Sequence, residues 1–217
     1  IFFKHGVYIC EINKRLIKLN SKNILNHNVL NWALKQNDNK GLKDKNFIYE
    51  KFQTTCIIKY LNNHRCESFI DIGSQIGYYG LLANCFKNIK NIVFVDIIKK
   101  AISTCKKNVD LNFNNKNYYF FNKAIGKGII NYNFFYSSNK VKGIDLGYII
   151  SQSNISLTQN DIIKIDIEGY EHSFFDTIEP YLGKAFPVIF FSLHTSFIKN
   201  FSDNHKFKSI LDYLFHN

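Results

Sequence analysis

Apolar positions along the chain follow two spacings, and the changes from one to the other mark out the elements. From Phe47 to Leu61 they recur at Ile48, Phe52, Cys56, Ile58 and Leu61, a helical spacing that Asn62-Asn63-His64 brings to a stop. Ser68-Phe-Ile-Asp-Ile72 then reads as a strand, a glycine-containing turn follows, and a helix is expected from about Gly77 to Phe86. The unit repeats: a strand over Asn91–Asp96, then a helix from Lys99 to about Leu111 whose buried stripe is Ile98, Ala101, Ile102, Cys105 and Val109. Two strand–helix units in succession imply a parallel sheet with crossover helices. Strands over Asn117–Phe121, Ile162–Ile167 and Val188–Leu193 extend it, with a hairpin-like insertion over Ile129–Ser137 and a last amphipathic helix from about Asn204 to Phe215.

The expected fold is therefore α/β and Rossmann-like: a doubly wound, mostly parallel sheet with helices on both faces, formed by residues 47–217. Residues 1–46 are an N-terminal extension with an alternating stretch over Gly6–Ile12 and an apolar-spaced one around Val29–Leu34. There is no internal repeat, and no Pro/Gly/Ser-rich segment divides the chain.

Composition narrows the class. A 217-residue chain that is 46% hydrophobic can bury one sizeable core. The most apolar run, around Phe186–Leu193, suits a buried strand and is too short for a membrane span. The chain opens on Ile1 and holds no methionine, so its start is expected to lie upstream. Cys10, Cys56, Cys66, Cys85 and Cys105 are odd in number and contain no C-x-x-C, which argues against a disulfide framework or a zinc site; a cytoplasmic location is the expectation, and no metal is expected. The net charge of +11 comes almost wholly from lysines along the chain, with Arg15 and Arg65 the only arginines. Guanine and bidentate phosphate recognition favour arginine, so the excess reads as solvated surface and nucleic acid is not the expected partner.

The chemistry concentrates in three segments. In Phe69-Ile-Asp71-Ile-Gly73-Ser74-Gln75-Ile-Gly77, a buried strand ends in an acid, turns over two glycines and opens a helix. The spacing G-x-x-x-G is not the G-x-G-x-x-G of dinucleotide binding. An acid at the turn suits a cationic sulfonium nucleoside, S-adenosylmethionine (AdoMet), better than a pyrophosphate. Asp96 ends the second strand, where a carboxylate can accept both ribose hydroxyls; the plainer alternative is that it caps the next helix. In Lys164-Ile-Asp166-Ile-Glu168-Gly169-Tyr-Glu171 the strand period puts Lys164, Asp166 and Glu168 on one face, which demands partners or an open crevice. A functionless ion pair at Lys164 is the competing explanation.

Three further features bear on the site. Asn122, with Phe121 beside it and Ala124 after it, follows the third strand where an amide can read an adenine edge. His194, at the expected end of the fifth strand, is a candidate to accept a hydroxyl proton, as is Asp166. Tyr78, Tyr79, Tyr132, Phe134, Phe135 and Tyr136 either line an acceptor pocket or belong to the core.

Taken together, Phe69–Leu82, Val93–Asn112 and Ile162–Glu171 resemble the FkbM family of AdoMet-dependent methyltransferases, whose K-x-D-x-E-G-x-E strand is matched by Lys164 through Glu171. The resemblance spans roughly Phe47–His194. It implies a class I methyltransferase fold, AdoMet as cofactor, and O-methylation of a hydroxyl on a sugar or other small metabolite. It also implies cofactor contacts at Asp71, Gly73, Gly77 and Asp96, and functional roles for Asp166 and Glu168; Ser74, in the same turn, is a further cofactor-binding candidate. The chain departs from the family in carrying Asp96-Ile97 where Glu-Pro is common, Ser74-Gln75 in the first turn, and Ser192-Leu-His194 where an acid precedes the histidine. About two dozen residues follow the fifth strand, short for the antiparallel strands of a full class I sheet, so truncation there is expected. The competing classes are a basic RNA-binding or RNA-modifying Rossmann-like protein, a nicotinamide-dependent oxidoreductase, which the glycine spacing disfavours, and an inactive methyltransferase fold.

Overall fold

The computed structural model describes residues 2–4, 7–12, 15–20, 22, 26, 49–112, 114–134, 137–178, 181, 186–192 and 208. Three short strands come first, β1 (Phe2–Lys4), β2 (Val7–Ile12) and β3 (Arg15–Asn20), joined as an antiparallel sheet in that order. The central domain follows as α1 (Lys51–Asn63), β4 (Ser68–Ile72), α2 (Tyr78–Asn84), β5 (Asn91–Val95), α3 (Lys99–Leu111) and β6 (Asn117–Phe121). After β6 come β7 (Ala124–Ile125), β8 (Ile129–Phe134), β9 (Ser137–Ile144), α4 (Leu146–Ser153), β10 (Ile162–Ile165), α5 (Glu171–Ile178) and β11 (Val188–Phe191).

The main sheet has the order β11-β10-β4-β5-β6 and every pairing in it is parallel. Successive strands run outward from β4 to β6, and the chain then returns to the other side of β4. The order therefore reverses between β4 and β10, which is where doubly wound sheets open a ligand crevice at their carboxyl ends. Strand alternation sends Phe69, Ile92, Phe94 and Ile162 to one face, where they pack with α1, α2, α3 and β3. Ile70, Ile72, Val93, Val95, Ile163 and Ile165 go to the other, against α4, α5, β7 and β9. Both faces are covered, as the sequence pattern requires.

Residues from the N-terminal stretch belong to this packing. Ile17 and Leu19 of β3 are buried in the first core, and a pair of buried amides joins the segment to α3. Asn26 Nδ2 donates to Asn108 Oδ1 at 3.0 Å, and Asn108 Nδ2 donates back to Asn26 Oδ1 at 2.9 Å and to the Ile76 carbonyl at 2.9 Å. Both amides are satisfied, so their burial carries little penalty.

Several expected boundaries move. The first helix begins at Lys51, after a turn in which Glu50 holds a left-handed φ of 42°. The second covers Tyr78–Asn84 only. The expected hairpin lengthens to β8 and β9. The fourth strand stops at Ile165, not Ile167, because the chain turns through left-handed Glu168 and Gly169. The fifth runs to Phe191; Leu193, His194, residues 29–34 and, apart from Lys208, the expected last helix lie outside the described residues.

Gly73 fixes how β4 and β10 meet. Its φ is +75°, and a Cβ there would lie 1.7 Å from the carbonyl oxygen of Asp166. Gly73→Ala is expected to destabilise the fold by about 3 kcal/mol or more, since overlap with backbone adds to left-handed strain. Urea denaturation checks it, and a loss under about 1 kcal/mol would show that the two turns separate easily.

Candidate functional site

The carboxyl ends of β4, β5 and β10 and the start of α1 bring the candidate residues together. Asp71 is the fourth residue of β4, and its side chain is only 1% exposed. One oxygen accepts the Gly80 N–H at 3.1 Å, in the first turn of α2, where a helix favours an anion. The other lies 3.6 Å from Lys164 Nζ, and Asp166 Oδ2 approaches the same ammonium at 3.5 Å. The Lys164 side chain is 3% exposed and that of Asp166 is 19% exposed, so the pair leads from the sealed sheet to the crevice. Burial pulls the lysine down, but Asp166, Asp71 and Glu50 together outweigh it and hold the ammonium above its ordinary range. Burial raises the carboxyl of Asp71, and the nearby charge of Asp166 adds to the shift, although Lys164 and the Gly80 N–H oppose it.

Asp96 lies just beyond β5 and serves two turns at once. Its Oδ2 accepts the Gln75 N–H at 2.9 Å and its Oδ1 the Ile98 N–H at 2.7 Å. Ile98 is the residue just before α3, and Asp96 caps none of the helix's own N–H groups. Burial still pushes this carboxyl up to about 6 against both hydrogen bonds. Each oxygen retains one lone-pair direction for a further donor.

Other expected site residues take structural places. The atom that approaches Gly73 is the Asp166 carbonyl, so the glycine admits neighbouring backbone. Ser74 is buried beside Cys105, whose Sγ lies 3.6 Å from its hydroxyl. Gly77, at φ +79°, precedes α2, and a Cβ there would press on Cys105 and Phe94. Asn122 donates its amide NH2 to the carbonyls of Asp96, at 3.0 Å, and Ile97, at 2.8 Å. Ala124 is buried in β7, opposite Gly143. Glu168 does not share a face with Lys164 and Asp166: strand geometry has ended before it, and it stands exposed on the turn. Glu171 is buried instead, accepting the N–H groups of Gly169 at 3.2 Å and Ile167 at 3.4 Å and so closing that turn.

Sequence reasoning missed the wall supplied by the start of α1. Tyr79 donates its hydroxyl to Glu50 and faces Gln53 Oε1 at 2.8 Å, while Gln53 Nε2 donates to Ser192 Oγ at 3.3 Å. The Tyr79 ring lies 4.9 Å from Lys164 Nζ. Tyr49 stacks obliquely on Tyr78 at 4.7 Å and is buried with it and Tyr79, so these aromatics are core that also bounds the site. The one sequence signal was an acid, Glu50, set between an aromatic residue and a helix. The side chains of Tyr132 and Phe134, and all of Phe135 and Tyr136, lie outside the description, as does His194. Among the described residues there is no group of His, Cys, Asp and Glu that could hold a metal, and no helix is long and apolar enough to cross a membrane.

No family model matches this sequence, and no curated protein matches it. Among solved structures it is similar to the O-methyltransferase from Bacillus cereus in complex with SAH, at 14% identity and a TM-score of 0.37, over 67% of this chain and 56% of that one. It is also similar to M. jannaschii TYW2 in complex with AdoMet, at 14% identity and a TM-score of 0.38, over 82% of this chain and 58% of that one. The chain thus matches little more than half the length of either.

Lys164→Met is expected to destabilise the protein by about 3–5 kcal/mol at pH 7.5, because Asp71 keeps a buried charge without its cation. Asp71→Asn/Lys164→Met is expected to recover more than half of that loss in urea denaturation. No recovery would mean that Lys164 acts through packing alone.

Proposed function

We propose that this chain binds AdoMet across the carboxyl ends of β4, β5 and β10 and transfers its methyl group to a hydroxyl oxygen of a sugar or other small metabolite, as its resemblance to the FkbM family implies. The observation that carries the reading is Asp96, a carboxylate placed beyond β5, raised to about 6 by burial and held by two backbone N–H groups. Vicinal ribose hydroxyls would occupy its remaining lone pairs and favour the charged form that burial now penalises. The group itself supports the fit. Asp71, Asp166 and Glu50 outnumber the single ammonium of Lys164, and that anionic excess suits a sulfonium with an α-amino group and repels a pyrophosphate.

When bound, the cofactor supplies an electrophilic methyl group on a cationic sulfur. Such a displacement needs alignment and exclusion of water more than covalent help. Asp166 accepts the acceptor's hydroxyl proton as its oxygen attacks the methyl carbon, and Lys164 holds that carboxylate at 3.5 Å. Asp71 is sealed beneath and positions Lys164 and α2. Glu168 stands at the rim on the turn that Glu171 closes, beside the acceptor's approach.

Calorimetric titration with S-adenosylhomocysteine tests the cofactor site. Asp96→Ala is expected to lose at least about 1.5 kcal/mol of binding, the scale of charge-assisted hydrogen bonds; equal affinity removes Asp96 from the site. Because the carboxyl titrates at about 6 and the ligand prefers its ionised form, wild-type affinity is expected to fall about tenfold from pH 7.5 to 5, with the fall absent in Asp96→Ala.

Asp166→Asn is expected to retain S-adenosylhomocysteine binding within about threefold and to lose methyl transfer by about 100-fold or more. Retained turnover would move the base elsewhere, with His194 the next candidate.

A further inference from the structure

The lysine excess is not spread evenly. Residues 97–144 hold nine lysines and one acid, Asp110, whereas residues 145–217 hold five lysines and nine acids. The fold sets part of the basic stretch at one edge of the sheet and the rest on elements that cover its two faces. Lys99, Lys100, Lys106 and Lys107 stand exposed on α3, which covers one face, and Lys106 Nζ lies 5.4 Å from the ring of Phe120 on edge strand β6. Exposed Lys123 and Lys127 flank β7 beyond the end of β6. Lys140 and Lys142 of β9 are also exposed, and β9 belongs to the sheet that covers the opposite face. Among the described residues none of these eight takes part in a salt bridge.

This band begins at the lip of the crevice. The backbone N–H of Lys123 donates to the Asp96 carbonyl at 3.1 Å, and Lys99 and Lys100 open α3, just after Ile98, whose N–H the Asp96 side chain accepts. Eight uncompensated ammonium groups in one sector repel each other, and an anionic partner relieves that repulsion. Its shape also selects the partner. A lipid surface is nearly flat and meets one face at a time, whereas these lysines stand on α3, beyond the end of β6 and on β9, elements that cover opposite faces of the sheet, so that a flexible polyanion can reach them together. Lysine without arginine supplies point charges for phosphates and no base reading.

We propose that the β6 edge is a sequence-independent binding surface for single-stranded RNA, which leads a strand to the strand ends of the sheet and makes a ribose hydroxyl on it, a sugar hydroxyl within the reading above, the methyl acceptor. The acceptor role rests on the methyl-transfer reading above; the binding surface does not.

The test is fluorescence anisotropy of the full chain with a labelled 20-nucleotide single-stranded RNA between 50 and 300 mM KCl. The triple variant Lys100→Gln/Lys123→Gln/Lys127→Gln is compared with Lys22→Gln/Lys59→Gln/Lys208→Gln, which removes the same charge from exposed lysines outside residues 97–144. Wild type is expected to bind with a steep salt dependence. The edge variant is expected to bind about tenfold or more weakly at 100 mM KCl, with its logarithmic salt slope reduced by about 2, and the control to stay within about threefold. Equal losses in both variants, no RNA binding by wild type, or binding to vesicles containing 30% phosphatidylserine in place of RNA would each overturn the proposal. S-adenosylhomocysteine titration of wild type and the edge variant separates the two readings. Failure of wild type to bind it sinks the methyl-transfer reading and leaves the RNA result to decide the surface.

Discussion

A buried ammonium between two strands on either side of the sheet's reversal point is the constraint from which the rest follows. Lys164 and Asp71 occupy paired positions in β10 and β4, and neither could be buried without the other. Replacing both by apolar residues would give a simpler core, so their retention needs a reason other than stability. The geometry offers one. Asp71 receives the Gly80 N–H and thereby orients α2, while Lys164 reaches outward to Asp166. The pair converts burial in the sheet into a fixed position for a partly exposed carboxylate at its open end.

Asp96 does the same work between the next two strand ends. By accepting from Gln75 and Ile98 it ties the turn after β4 to the turn after β5, while Asn122 and Lys123 tie the end of β6 to its own carbonyl. The crevice floor is thus a chain of backbone groups held by a few side chains. This explains why residues expected to touch a ligand, such as Ser74 and Asn122, are used in holding the frame. A site built from turns needs such support before it can offer a defined geometry.

The strand and helix alternation was legible because parallel strands covered on both faces read as short apolar runs, and β4, α3 and β6 fall where those runs predict. Short helices with mixed faces were not legible: α4 and α5 have eight residues each, too few for periodicity to stand out. Buried Asn108 was missed on α3 because its partner, the amide of Asn26, lies 82 residues away in the chain. Within the site, the carboxylates at strand ends could be read from spacing, but Glu168 could not be placed, since period-two alternation presumes a strand and the chain had already turned. Glu50 and Gln53 approach Tyr79 from 29 and 26 residues away, a proximity that no local pattern encodes.

Opposite charges therefore stand side by side at the β5 and β6 ends, and their different surroundings let both persist. Lys164 at about 3.5 Å from its carboxylates is shielded from water, where attraction is several-fold stronger than in solvent. An exposed lysine about 10 Å from a crevice carboxylate gains only about 0.4 kcal/mol in water, and salt removes most of that. The surface lysines cannot neutralise the crevice, and the crevice cannot hold them. Inside, charge acts at short range; outside, it acts weakly and over a wider surface. The proposed polyanionic acceptor and the proposed cationic cofactor would therefore not compete for the same charges, because the two fields act on different length scales.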